Sequence, residues 1–237
     1  MVDVWGRIFS DYLAGHDEPH FVERDDGVER HGGSIERYFE EPHLEGEREL
    51  LARLQAPVLD LGAGAGCHAL YLQSLGIDVV AADSSSGALD VCRSRGCRDV
   101  RAMDLRRLDL EPASFGSIII MGNTVGAHQT PETLPMFLST LRRGVRPGGH
   151  FLCTAVDPLD TDEPIHLDYH RRNRERGRPP GLTRIRMKYR DLVDEWMDLW
   201  LLTPDELLEA AKTEGWALLE ERTEGALHTR LFQAAAT

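Results

Sequence analysis

Three aspartates, Asp60, Asp83 and Asp104, each stand where an apolar run gives way to a turn, and the first is followed at once by alternating glycines, Asp60-Leu61-Gly62-Ala63-Gly64-Ala65-Gly66. A glycine turn between a strand and a helix brings free backbone N–H groups and a positive helix end to a surface that a nucleotide can approach closely. No Gly-Lys-Ser/Thr follows, which excludes a P-loop, and Cys67 stands where a dinucleotide fingerprint needs its third glycine. Asp60 would face a pyrophosphate unfavourably, but it suits a ligand carrying an ammonium or a sulfonium. Asp83 sits where a carboxylate can accept both hydroxyls of a ribose. Asp104 is placed to accept from an adenine amino group.

The elements that must hold these residues follow from apolar periodicity. Val58, Leu59 and Leu61 read as a buried strand, and a helix after Gly66 stops at Gly76. Ile77 to Ala82 is a second strand ending at Asp83, with a serine N-cap and a helix running to Gly96. Asp99 to Ala102 is a third strand before Asp104, and Phe115 to Met121 is a fourth, opening into Gly122-Asn123-Thr124. Leu134 to Val145 is a helix, Pro147-Gly148-Gly149 a turn, and His150 to Val156 a fifth strand. Upstream, Val4 to Leu13 has helical spacing, Gly15 to Gly33 reads as a loop with a turn at Asp25-Asp26-Gly27, and Leu44 to Leu54 is a surface helix. Downstream, Asp157 to Leu202 breaks the alternation: a helix around Leu167 to Arg176, then a hairpin pairing Arg184–Arg190 with Trp196–Leu202. Thr203-Pro204 caps a helix over Leu207 to Thr213, and Trp216–Glu221 and Leu227–Ala234 are the last strands. Alternating strands and helices predict an open, mostly parallel α/β sheet that binds ligands at the carboxyl ends of its strands.

Carboxylates for a cation, a ribose and an adenine together describe S-adenosylmethionine. Here the sequence resembles the class I methyltransferases. Their acidic residue with G-x-G-x-G matches Val58 to Gly66, their acidic residues after the second and third strands match Asp83 and Asp104, and their Pro-Gly-Gly matches Pro147-Gly148-Gly149. More narrowly, Cys67-His68-Ala69-Leu70-Tyr71-Leu72-Gln73 and Tyr169-His170-Arg171-Arg172-Asn173-Arg174 resemble haloarchaeal methyltransferases. The resemblance implies a Rossmann-like α/β fold with a seven-stranded, mostly parallel sheet, helices on both faces and a cap inserted between strand 5 and the last helix. It implies one domain over residues 1–237, with an N-terminal lid at 1–43, a core at 44–156 and 203–237, and the cap at 157–202. It also implies that Asp60, Gly62, Gly64, Asp83, Ser84, Asp104 and Leu105 bind S-adenosylmethionine, with Asn123 lining the pocket.

Methyl transfer from a sulfonium is an in-line displacement, so a general base is needed only when the acceptor must lose a proton. His128, past the Asn123 exit, is one candidate base. His166, Tyr169 and His170 fall at i, i+3 and i+4 on one helical face, so Tyr169 and His170 are further candidates, against the plainer reading of a polar face in solvent. His68 belongs either to the site or to the cover of the sheet. Neither the His166–His170 pair nor the four cysteines has the remaining ligands of a metal site, and no metal is expected. The basic cap around Arg171, Arg172, Arg174, Arg176, Arg184 and Arg186 either receives an anionic substrate or pairs with nearby acids.

A net charge of -13 argues against nucleic acid as partner, and the fourth-strand exit lacks the Asn/Asp-Pro-Pro-aromatic run of amino-directed base methyltransferases. A small-molecule acceptor is expected, oxygen or nitrogen. The alternatives are a non-catalytic S-adenosylmethionine-binding module and, against Cys67 and Asp60, a nicotinamide oxidoreductase. Lys188 and Lys212 are the only lysines among 27 basic residues, which suits a salt-rich cytoplasm and equally a genome that favours arginine codons. Asp3, Arg7 and Asp11 interrupt any leader-like apolar run, and no apolar run is long enough to span a bilayer, so a cytoplasmic protein without a membrane partner is expected.

Overall fold

Apolar side chains at Val58, Leu59 and Leu61, all buried, make the strand before the glycines a core strand, and the same composition repeats along the chain. The computed structural model describes residues 2–44 and 46–235. Its elements are α1 (Val4–Leu13), β1 (His20–Arg24), β2 (Glu29–His31), α2 (Glu47–Ala52), β3 (Val58–Leu61), α3 (Cys67–Ser74), β4 (Val79–Asp83), α4 (Ser86–Arg95) and β5 (Asp99–Ala102). These are followed by β6 (Phe115–Ile120), α5 (Leu134–Gly144), β7 (Val145–Val156), α6 (Pro164–Glu175), β8 (Leu182–Tyr189), β9 (Leu192–Val193), β10 (Met197–Trp200), α7 (Pro204–Thr213), β11 (Trp216–Glu224) and β12 (Leu227–Ala234). The chain divides into two compact units, one of residues 1–108 and 184–197, the other of residues 109–183 and 198–237.

In the first unit β3, β4 and β5 form a parallel ladder, with Val58 opposite Val79 and Val80 opposite Asp99. Parallel strands need crossovers, and α3 and α4 supply them. Helix α1 begins where predicted because Asp3 caps it, its Oδ1 accepting the Gly6 N–H at 2.9 Å. The same carboxylate reaches the start of α4, where it accepts from the Ser85 hydroxyl at 2.7 Å and the Gly87 N–H at 2.9 Å. A Cβ on Gly87 would lie 2.6 Å from the Gly6 Cα, so the helices touch backbone to backbone. Val4, Ile8 and Phe9 of α1 join Ile35, Ala65, Ala88, Val91, Met187 and Tyr189 in one buried cluster.

Residues 15–33, expected as a loop, contain the β1–β2 hairpin. Its turn is the predicted Asp25-Asp26-Gly27, but β1 is anchored by a partner distant in sequence, pairing antiparallel with β8. Oppositely charged residues face each other there: Arg186 donates to Glu23 at 2.9 Å, and Lys188 pairs with Glu29. β8 alternates as predicted, with Met187 and Tyr189 buried, and it folds back through Arg190-Asp191 onto β9. The helix expected at 44–54 is shorter, six residues from Glu47, with Glu45 outside the described residues.

In the second unit β6 and β7 run parallel, β7 pairs antiparallel with β12, and β12 with β11. Three strands in the first unit and these four make the expected seven, mostly parallel. β7 already begins at Val145. The Pro147-Gly148-Gly149 run is therefore a kink inside a strand instead of a turn: Gly148 has φ +73° and the pairing with β6 slips between Phe115 and Ser117. Helix α7 carries the full capping box, with Thr203 and Glu206 bonding each other's backbone N–H. Inside this unit, Thr183 Oγ1 donates to the Leu199 carbonyl at 2.8 Å and the Leu201 N–H to the Gly181 carbonyl at 2.9 Å, so the ends of the expected hairpin segments meet. Among the described residues no helix is long and apolar enough to cross a membrane.

Candidate functional site

Asp60 lies on β3 with 1% of its surface exposed. One side of its carboxylate accepts the Ala69 N–H from the first turn of α3, where the helix dipole favours negative charge. Oδ2 has no hydrogen-bond partner among the described residues. Burial pushes this carboxyl up to about 6 and the Asp83 charge acts in the same direction, against the opposing pull of His68 and the Ala69 N–H. His68 is bound in turn by Glu47, Nε2 to Oε1 at 3.0 Å, and the other Glu47 oxygen accepts the Leu44 N–H at 3.2 Å. Burial works against a charged imidazole, but the Glu47 hydrogen bond and the Asp60 and Glu47 charges outweigh it and raise the His68 pKa. His68, half-buried, therefore stands with two buried acids, Asp60 and Glu47, behind the glycine turn.

The turn itself has three left-handed glycines, Gly62, Gly64 and Gly66, at φ 85°, 56° and 85°. Its N–H groups are more occupied than the sequence suggested. Gly62 and Ala63 donate to the Ala82 carbonyl, Gly66 donates to Ala63, and Gly64 donates to Asp83 Oδ2 at 3.0 Å. The turn is braced from within by strand-end groups, and the side chain with unused capacity is Asp60. A Cβ on Gly64 would come within 3.5 Å of the Phe9 ring and 3.6 Å of Tyr38, so aromatic residues of the N-terminal segment lie over the turn. Arg95 secures that segment, donating to the carbonyls of Tyr38, Phe39 and Ala65.

Asp83 ends β4 with Oδ1 accepting the Ser85 N–H at 2.9 Å, while burial raises its pKa against these backbone bonds. Ser84 beside it is exposed. The Met103 N–H donates to the Asp83 carbonyl at 3.0 Å, which brings Asp104 out of the sheet next to Asp83. Asp104 caps the short 3-10 turn at Leu105–Arg107 and is held by the Arg106 guanidinium at 2.7 Å, so its carboxylate already has a cationic partner; Leu105 is half-buried.

In the second unit Asn123 has φ 66°, and its Oδ1 accepts the Val156 N–H at 3.0 Å, tying the exit of β6 to the end of β7. His128 is also left-handed, φ 59°, and its N–H donates to the Asp198 carbonyl at 2.8 Å. On α6, Tyr169 and His170 are buried with Asn173, which corrects the reading of this face as solvated. The Asn173 amide explains the burial in part: it donates to the carbonyls of Pro180 and Leu182, folding the following segment onto the helix. His166 lies on the more open side, 3.7 Å from Glu163. Arg171 and Arg172 pair with Asp168, and Arg186 pairs with Glu23, so these arginines are matched by local acids. No metal-holding group of His, Cys, Asp and Glu occurs among the described residues.

Residues 58–149 match the family described as a methyltransferase domain. The matched stretch is less than half of this chain. A cypemycin N-terminal methyltransferase from a Streptomyces species is 34% identical over 106 residues, 44% of this chain and 43% of that protein, so the match spans less than half of the relative. A methyltransferase from Bacteroides fragilis, solved with S-adenosyl-L-homocysteine, superposes with a TM-score of 0.80 at 24% identity, over 98% of this chain and 95% of that one. The CcbJ methyltransferase of Streptomyces caelestis gives 0.63 at 20% identity, over 85% and 96%. Both show the same Rossmann-like fold.

S-adenosylmethionine, the cofactor that the sequence resemblance implies, fits the residues of the turn. The glycine turn leaves a buried carboxylate oxygen without a donor among the described residues, and a group that brings its own N–H or positive charge is what that oxygen lacks. Of the residues chosen from the sequence, Asp60, Gly62, Gly64 and Asp83 are joined in one hydrogen-bonded and electrostatic cluster, with Ser84, Asp104 and Leu105 at its rim. Glu47, Phe9, Tyr38 and Arg95 were missed. The wide separation of these residues in sequence gave no spacing to read; only the Glu at the start of a helix before the first strand was a visible sign.

Proposed function

We propose that this protein transfers a methyl group from S-adenosylmethionine to a small-molecule acceptor. The observation that carries the reading is Asp60 Oδ2, buried and without a hydrogen-bond partner among the described residues, behind a glycine turn in the stretch that matches a methyltransferase domain. The cofactor supplies an electrophilic methyl group on a sulfonium. Asp60 holds its positively charged end, the positive-φ glycines let it approach the backbone, and Asp83, with lone pairs left on both oxygens after its turn bonds, accepts from the ribose hydroxyls. Ser84, Asp104 and Leu105 complete this side, Asp104 turning from Arg106 to an adenine amino group; Asn123, at the end of β6, is the further residue assigned to the cofactor.

His128, Tyr169 and His170 are the groups assigned to the acceptor. Nitrogen is favoured as the acceptor atom, since the curated relative is named for an N-terminus, and a neutral imidazole can take the proton such an amine gives up. The runs Cys67–Gln73 and Tyr169–Arg174 are what support a haloarchaeal relationship. The N-terminal residues 1–43 serve as lid and 157–202 as acceptor cap of one catalytic domain.

Calorimetric titration with S-adenosylhomocysteine tests the cofactor site. Wild type binds and Asp83→Ala loses about tenfold or more in affinity, the loss of a charge-assisted hydrogen-bond pair. No heat from wild type ends the proposal. Incubation with labelled S-adenosylmethionine and pools of small amines and alcohols then separates an enzyme from a binding module, because only an enzyme releases S-adenosylhomocysteine in step with a labelled product.

A further inference from the structure

Four cysteines lie buried and free in this protein, and two of them meet at the glycine turn. Helix α4 ends in a Schellman arrangement: Gly96 is left-handed at φ 101°, its N–H donates to the Arg93 carbonyl, and the Cys97 N–H donates to the Cys92 carbonyl, each at 3.0 Å. In that motif the residues at the two ends of the longer bond put their side chains together, and here both are cysteines. They close on one point: a Cβ on Gly66 would lie 2.8 Å from Cys97 Sγ and 3.1 Å from Cys92 Sγ. The Cys92 thiol also donates to the Gly64 carbonyl at 3.2 Å. The pair is thus wired to two glycines of the turn.

We propose that Cys92 and Cys97 are a redox pair in which a peroxide oxidises Cys97, Cys92 closes a disulfide onto it, and the glycine turn loosens. The peroxide O–O bond breaks, one oxygen staying on the Cys97 sulfur as a sulfenic acid and the other leaving as water. The Cys92 sulfur then attacks the Cys97 sulfur, the S–S bond forms, the S–O bond breaks, and the hydroxyl leaves as water with the Cys92 proton. The two thiols lose two electrons and the peroxide gains them.

The two cysteines differ in a way that suits these roles. The Cys92 S–H, turning from the Gly64 carbonyl to Cys97, favours the Cys97 thiolate; burial and the Asp60 charge oppose it, and the Arg95 guanidinium adds to it. Cys97 retains 7% exposure while Cys92 has none. Burial pushes Cys67 and Cys153 up to about 12, so both stay as thiols and serve as internal controls. Once Cys92 is bridged it has no S–H to give, and the Gly64 carbonyl loses its donor inside the turn. The effect on ligand binding rests on the cofactor site proposed above; the bridge does not.

The test uses the full chain with Cys67→Ser, treated with hydrogen peroxide or dithiothreitol. Trypsin cuts after Arg93 and Arg95, so Cys92 and Cys97 leave in separate peptides unless joined. Peroxide should yield the joined peptide, two hydrogen atoms lighter than the sum of the free ones, and weaken S-adenosylhomocysteine binding about tenfold, reversed by dithiothreitol. Adding Cys97→Ser should abolish both the bridge and the peroxide sensitivity while leaving binding by the reduced protein. Failure to form the bridge in the folded protein, or a bridged protein that binds as the reduced one does, overturns the proposal. A reduced protein that binds nothing overturns the cofactor reading instead, and the bridge is then still decided by mass.

Discussion

Replacing Asp60 with asparagine should make the protein more stable and its cofactor affinity poorer at once. The carboxyl is raised from 3.8 to about 6 by burial. A group whose folded pKa is raised holds its proton more tightly in the folded state, so its ionised form opposes folding. The penalty is absent below pH 3.8, grows as the pH rises towards 6, and is complete above that. Two pH units at 1.36 kcal/mol each make it about 3 kcal/mol. In Asp60→Asn the side-chain carbonyl can keep the Ala69 N–H, while its NH2 takes the place of Oδ2 and finds no acceptor, at a cost of about 1 kcal/mol. The variant should therefore gain about 2 kcal/mol above pH 6, or about 5 °C in Tm for a chain of this length. That gain should fade on acidification to pH 4. S-adenosylhomocysteine affinity should fall on the order of 10–100-fold, the loss of a charge-assisted hydrogen bond in a dry site. Thermal melts from pH 4 to 8 with parallel calorimetry read both effects. An unchanged pH slope of stability refutes the buried-charge argument, and unchanged affinity refutes the role in binding.

Two other substitutions probe the frame around the site. Thr203→Ala removes one arm of the capping box of α7 and should lower stability by about 1 kcal/mol in a urea melt, with S-adenosylhomocysteine affinity unchanged. Asp3→Ala takes away the acceptor that caps α1 and receives Ser85 and Gly87, and should destabilise the protein by about 2 kcal/mol and speed hydrogen exchange in residues 4–13 first. If exchange rises evenly through the chain instead, α1 does not open as a separate piece.

The sequence alone determined most elements and the chemistry of the turn. Val58–Leu61 and Asp99–Ala102 are legible as strands because local composition and flanking turn residues agree. The bounds of α1 are legible because apolar residues recur at helical spacing from Val4 to Leu13. The positions of Asp60, Asp83 and Asp104 are legible because a strand that ends in a carboxylate marks itself. Tertiary structure decided what those groups are bonded to. β1 is a strand only because β8, more than 150 residues later, completes its ladder, and no periodicity within 15–33 could announce a partner so far away. The turn amides, counted as free from the sequence, are taken up by Ala82, Ala63 and Asp83. Tyr169 and His170 share a helical face in any reading, but whether that face meets water depends on where Asn173 draws the chain after α6. The same holds for Cys92 and Cys97. Their spacing is visible in one line of sequence, yet only the packing of α4 against the turn brings both sulfurs onto Gly66. Local patterns fix which bonds a segment can make; contacts between distant segments fix which it does make, because burial and hydrogen bonding are satisfied over the whole fold.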